Sequence, residues 1–103
     1  MRILPLAIIH QNNIYRNYII SYNKGELSLY PFDTECEATR FISAIIIVAN
    51  HNIVKYCNDL PKIEVGYNNI SEIASFLYQH NLYIYNDEEP TLISADSSGY
   101  TIL

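Results

Sequence analysis

The sequence predicts an α+β fold, mostly antiparallel β in a meander or sandwich-like arrangement, with one clear helix near 71–80. Three observations carry this. The block Phe41–Asn50 is the longest apolar run and holds four consecutive β-branched residues, Ile45, Ile46, Ile47 and Val48. Such side chains are stiff at χ1 and fit a buried strand better than a helix. Short alternating segments bounded by Asn, Gly and Asp recur along the chain, as strands joined by turns require. Helical spacing is clear in one place, where Ile70, Ile73, Ala74, Leu77 and Tyr78 form a stripe.

In chain order, Leu4–Ile9 is an apolar run whose Pro5 suits a strand start or an edge. Gln11-Asn12-Asn13 is a turn. Tyr15–Tyr22 alternates as a strand, with Tyr18, Ile20 and Tyr22 on one face and Ile19 and Ser21 on the other. Asn23-Lys24-Gly25 makes a hairpin turn into a third strand, Glu26–Phe32, with Leu27 and Leu29 on one face. These three strands read as an antiparallel meander.

Asp33–Arg40 is acidic, and Asp33 or Thr34 would suit a helix N-cap. A helix from there to Ala49 would spread Ile45–Val48 around its whole circumference rather than along a stripe. An acidic loop or single turn at 33–38 followed by a buried strand at about 40–49 is therefore preferred. Asn50-His51-Asn52 is a turn, Ile53–Tyr56 a short strand or irregular connection, and Asn58–Pro61 a second turn. Asn68-Asn69 offers a cap for the helix Ser71–His80. Leu82–Tyr85 reads as a strand and Asn86–Pro90 as an acidic turn. Thr91–Ala95 and Tyr100–Leu103 read as strands around Asp96–Gly99.

A length of 103 residues predicts a single domain, 1–103. With half its residues apolar and 17% charged, the chain has the material for one core rather than for disorder. The net charge is −5, and the basic residues Arg2, Arg16, Lys24, Arg40, Lys55 and Lys62 are dispersed. Gripping a phosphate backbone or an anionic membrane needs convergent cations, so neither nucleic acid nor membrane is an expected partner. Cys36 and Cys57 make no disulfide framework. Met1-Arg2 before Ile3–Ile9 superficially imitates a secretion signal, but Pro5 breaks the run and no small-residue cleavage site follows. A cytoplasmic protein with reduced thiols is expected.

Ile14, Asn17-Tyr-Ile-Ile20, Gly25-Glu-Leu-Ser-Leu29, Thr39-x-Phe41 and Ile45-Ile-Ile47 occur in the order strand, turn, strand, turn, strand, acidic segment, Ile-rich strand. This order resembles the N-terminal β-sandwich part of amidohydrolase-superfamily enzymes, over residues 6–50. The order of elements over 76–103 is similar to the strands that complete that sandwich. In the superfamily the Ile-rich strand leads through a Pro-Gly turn to an H-x-H metal pair. Here Val48-Ala-Asn-His-Asn52 has one histidine. A catalytic barrel needs about 200 residues or more. The resemblance thus implies a β domain without the catalytic barrel or the metal motif, and no catalytic or metal-binding residue is carried over.

No other constellation spells out chemistry. His10, His51 and His80 are far apart and near element ends, as solvated turn histidines are, and His51 and Cys57 lack further ligands at metal spacing. Cys36 lies between Glu35 and Glu37, which oppose thiolate formation; Cys57 reads as a small core residue. Asp87-Glu88-Glu89 with Asp96 could gather carboxylates but lacks a calcium-loop pattern. Ser97-Ser98-Gly99 has no nucleophile elbow, and Gly25, Gly66 and Gly99 are isolated. No catalytic residue, metal or cofactor is expected.

The ten tyrosines remain. Ile, Asn and Tyr are abundant along the whole chain, as AT-rich codons would make them, so their number alone says little. Tyrosine is nonetheless enriched at interfaces, and an outer sheet face bearing Tyr18, Tyr22, Tyr83 and Tyr85 is the candidate interaction face. The expected function is a small non-enzymatic interaction domain, homo-oligomeric (a homodimer in the simplest case) through that face or an edge strand. The alternatives are a small-molecule-binding or enzymatic domain with a Tyr/His-lined pocket, or an acidic immunity- or antitoxin-like neutraliser of a basic partner.

Overall fold

The Ile-rich block is the centre of the molecule. A computed structural model describes residues 1–33, 39–85 and 89–103, and in it Ile45, Ile46, Ile47, Val48 and Ala49 are all 0% exposed. Only a strand covered on both faces buries consecutive residues in this way. The strands are β1 (Arg2–Leu4), β2 (Ala7–His10), β3 (Asn13–Tyr15), β4 (Tyr18–Asn23), β5 (Glu26–Pro31), β6 (Arg40–Phe41), β7 (Ile45–Ala49), β8 (Thr91–Asp96) and β9 (Gly99–Ile102). One α-helix, α1 (Ile70–Gln79), and two 3-10 segments, His51–Tyr56 and Val65–Tyr67, lie between β7 and β8. With 41% strand and 20% helix among the described residues, the fold is strand-dominated α+β.

The strands form two sheets, ordered β5-β4-β1-β6 and β3-β2-β7-β8-β9. The five-stranded sheet is the middle of three layers. On one face Ala7, Ile9, Ile45, Ile47, Ala49, Ile93 and Ala95 meet Ile53, Leu60, Ile70, Ile73, Leu77 and Leu82 from the helical side. On the other, Ile8, Ile46, Val48 and Leu92 meet Ile3 and Ile20 of the four-stranded sheet. Each fully buried Ile contributes roughly 1.5–3 kcal/mol of transfer free energy.

The sheets share chain. β1 pairs with β6 in one sheet and β2 with β7 in the other, both in parallel, while the remaining pairs are antiparallel. Pro5-Leu6 and Ile42-Ser43-Ala44 therefore turn the same corner side by side. Ile42 N–H donates to Leu4 C=O (3.2 Å) and Leu6 N–H to Ala44 C=O (2.9 Å), which keeps the two segments joined through the bend. Buried Pro5 sits at the corner, where the chain needs a bend and a residue with no N–H leaves no donor to satisfy.

Four expectations are corrected here. The segment 4–9 is two strands in different sheets, and so is 15–22, whose first residue ends β3 while β4 begins at Tyr18. The three-strand meander is thus two hairpins, β2–β3 and β4–β5, belonging to different sheets. Both hairpins close on two-residue loops with positive φ at each position, Gln11 (48°) with Asn12 (66°), and Lys24 (51°) with Gly25 (83°), the geometry that matches strand twist. The expected strand 40–49 is broken at the corner into β6 and β7.

Leu82–Tyr85 is no strand. Asn81, at φ 54°, is the left-handed cap of α1. Asn81 N–H donates to Tyr78 C=O and Leu82 N–H to Leu77 C=O, the paired bonds of a Schellman motif. Asn50 then takes over the next carbonyls through its Nδ2, which donates to Asn81 O (2.9 Å) and Ile84 O (2.8 Å). The helix itself runs one residue earlier at each end than the spacing suggests. The loop or single turn expected at 33–38 falls, apart from Asp33, outside the described residues, as do Cys36 and residues 86–88 of the expected acidic turn.

Candidate functional site: an apolar groove beside an open sheet edge

At one end of the sandwich the three layers leave a groove of about 570 Å³. The first 3-10 segment supplies His51 and Val54, the strand ends supply Tyr22, Thr91, Leu92 and Ile102, and Met1, Glu89, Pro90 and Leu103 complete the lining. Met1, Val54, Ile102 and Leu103 are each about half exposed. The groove therefore presents aliphatic side chains to solvent, with Tyr22, His51 and Glu89 as its polar and aromatic counterpoints.

Beside it runs β9, the outer strand of the five-stranded sheet. Asp96 pairs with Gly99 around the two-residue loop Ser97-Ser98, and Ser98 N–H donates to the Asp96 carboxylate (2.8 Å). In a two-residue hairpin the closing pair exchanges hydrogen bonds, and bonded and non-bonded pairs then alternate. Gly99 and Thr101 thus bond β8, as does Leu103, whose N–H donates to Leu92 C=O (3.0 Å). The N–H and C=O groups of Tyr100 and Ile102 face away from the sheet.

Edge strands are normally blunted by charge, proline or brevity. β5 carries Glu26 and Pro31, β3 has three residues, and β6 has two and includes Arg40. β9, Gly99-Tyr-Thr-Ile102, has four residues and neither charge nor proline.

The predicted tyrosine face does not form as expected. Ile20 points into the inter-sheet core, and strand parity sends Tyr18 and Tyr22 the same way; both pack against that core, as does Tyr85. Tyr83 lies apart and stacks on Tyr78, ring centroids 5.4 Å apart. Of the four, Tyr22 lines the groove.

A scan against known families, curated proteins and solved structures finds no match.

The histidines separate. His10 Nε2 and the Tyr85 hydroxyl are 2.6 Å apart, with Tyr15 and Tyr85 rings tilted against the imidazole. Burial pulls the His10 pKa below 6.5 and pushes the Tyr85 phenol up. His80 stacks on Phe76 and meets Tyr56 edge-on. His51 stays in the groove.

Cys57 is a half-buried free thiol in a second hollow of about 430 Å³ that also holds Lys62, Asp96 and Tyr100. There the Tyr100 hydroxyl donates to Pro61 C=O. Burial, with Cys57 nearby adding to it, pushes the Tyr100 pKa up to about 12. Glu89 and Asp96 do not pool their charge: Glu89 lies over Gly25 and lines the groove, whereas Asp96 closes its own turn. Among the described residues no three His, Cys, Asp or Glu side chains are placed to hold a metal ion, and no helix is long and apolar enough to cross a membrane.

Sequence reasoning missed the groove, because its lining comes from five separate segments. The bare edge was legible: Gly99–Leu103 contains no charged residue.

Proposed function

We propose that this chain is a small cytoplasmic interaction domain that binds rather than transforms its partner, and that the partner is a second copy of itself. The observation that carries the reading is the half-exposed aliphatic set Met1, Val54, Ile102 and Leu103 around the groove, next to an edge strand without charge or proline. Covering such a patch releases water and gains transfer free energy. Two chains of net charge −5 repel overall, but β9 itself carries no charged side chain, so pairing there sets no like side-chain charges opposite one another. The patch is small beside standard interfaces, so the dimer is weak and concentration-dependent.

Size-exclusion chromatography with light scattering over a wide concentration range tests this. The expected result is a mass that climbs from monomer towards dimer. A monomer at every concentration would overturn the reading.

A second reading is favoured by Tyr22 and His51 among the lining residues: a small apolar ligand with one polar end, in a volume typical of ligand pockets. Saturable, His51-centred NMR shifts on titration with a medium-chain alcohol would establish it, and an unchanged spectrum would dismiss it.

A further inference from the structure

We infer that two copies join edge to edge through β9, antiparallel about a two-fold axis at Thr101, and so extend the five-stranded sheet to ten strands. This rests on the self-association proposed above and specifies its geometry. The register follows from which groups are free. Tyr100 and Ile102 each direct a backbone N–H and C=O away from β8. In an antiparallel pair, directly opposed residues that exchange both bonds alternate with pairs that exchange none. Setting Tyr100 opposite Ile102 of the second copy satisfies four donors and acceptors on each strand. Thr101, whose own backbone bonds inward to β8, then meets Thr101 of the second copy as the non-bonded, close pair on the axis.

The side chains agree with this placement. Thr101 is exposed and Gly99 adds no bulk where the strands begin to overlap. A self-complementary patch of this kind closes as a dimer and leaves no further edge for growth on that side. The other edges of the molecule are defended: a slip onto β5 would confront Glu26 and Pro31, and β3 and β6 offer too few residues. Ile102 and Leu103 carry the contact to the groove, so the edge and the aliphatic patch are covered by one event.

Three single substitutions test the register. Thr101→Lys places like charges on the axis without touching an inward bond. Ile102→Pro removes an outward donor and part of the aliphatic patch while leaving the bonds to β8 in place. Thr101→Cys sets two thiols in a non-bonded antiparallel pair, where Cβ atoms lie about 4.5–5.5 Å apart, close enough for a disulfide after slight adjustment. The expected results are monomers for Thr101→Lys and Ile102→Pro, with circular dichroism unchanged, and an oxidised covalent dimer for Thr101→Cys well above that of the parent chain. Ser28→Lys and Ser28→Cys on β5 should behave as the parent. A parent that dimerises while Thr101→Lys and Ile102→Pro dimerise equally well, or while Thr101→Cys cross-links no more than Ser28→Cys, would overturn this geometry and leave self-association standing. A monomeric parent would overturn self-association itself.

Discussion

Two asparagines organise the connections that have no ladder of their own. Asn69 is buried; its Oδ1 accepts from Glu64 N–H (3.0 Å) and its Nδ2 donates to Lys62 C=O (2.6 Å). Asn69→Ala strands both backbone groups, so chemical denaturation should show a loss of roughly 1–3 kcal/mol. His10 makes stability depend on acid. Its native pKa lies below 6.5, so the unfolded chain takes up the proton first; the contribution is intact above about 6.5 and lost as pH falls through the native value. Thermal melts between pH 7.5 and 5 should decline more steeply for the parent than for His10→Gln. Tyr100 acts at the opposite end. Its native pKa, about 12, exceeds the ordinary 10.0, so its contribution is complete below pH 10 and drains away as pH rises towards 12. Tyr100→Phe should flatten the alkaline branch of a stability profile across that window. Little of this was legible in the sequence. Parity placed Tyr18 with Tyr22 correctly, but parity alone does not say which face is inside. The partners of Asn50 lie 31 and 34 residues away, beyond any local signal.

Elements were more legible where one force dominates. Four adjacent β-branched residues named the central strand, and the 3.6-residue stripe named α1. The failures come where two signals overlap. Leu82–Tyr85 alternates like a strand, but Asn81 caps the preceding helix and Asn50 occupies the carbonyls a ladder would use. Leu4–Ile9 and Tyr15–Tyr22 read as continuous because hydrophobicity persists through a corner; only Pro5 marks one of the two breaks. The cost of disturbing β7 follows from its burial on both faces. Ile47→Ala opens a cavity between strand and helix and should destabilise by about 2–5 kcal/mol in urea unfolding, whereas Thr101→Ala on the exposed edge strand should change stability by less than about 0.5 kcal/mol.

At the scale of the molecule, the α+β, sandwich-like class was predictable because composition and turn spacing bound it, while the path between the sheets was not. The shared corner ties the layers together: β1 and β2 are separated by two residues, yet serve different sheets. Urea transitions followed by tyrosine fluorescence, which samples both sheets, and by far-ultraviolet circular dichroism should therefore coincide; separated midpoints would mean the sheets melt independently.

The corner also governs how the chain is made. During synthesis the first five strands emerge early, but β1 and β2 find their parallel partners only when Arg40–Ala49 has left the ribosome. The Ile-rich strand then stays open along one side until Thr91–Asp96 appears. While residues 50–90 are being made, the nascent chain holds its stickiest segment with one edge open, so its yield in a cell will depend on how quickly Thr91–Asp96 arrives and on what shelters Ile45–Ala49 until then.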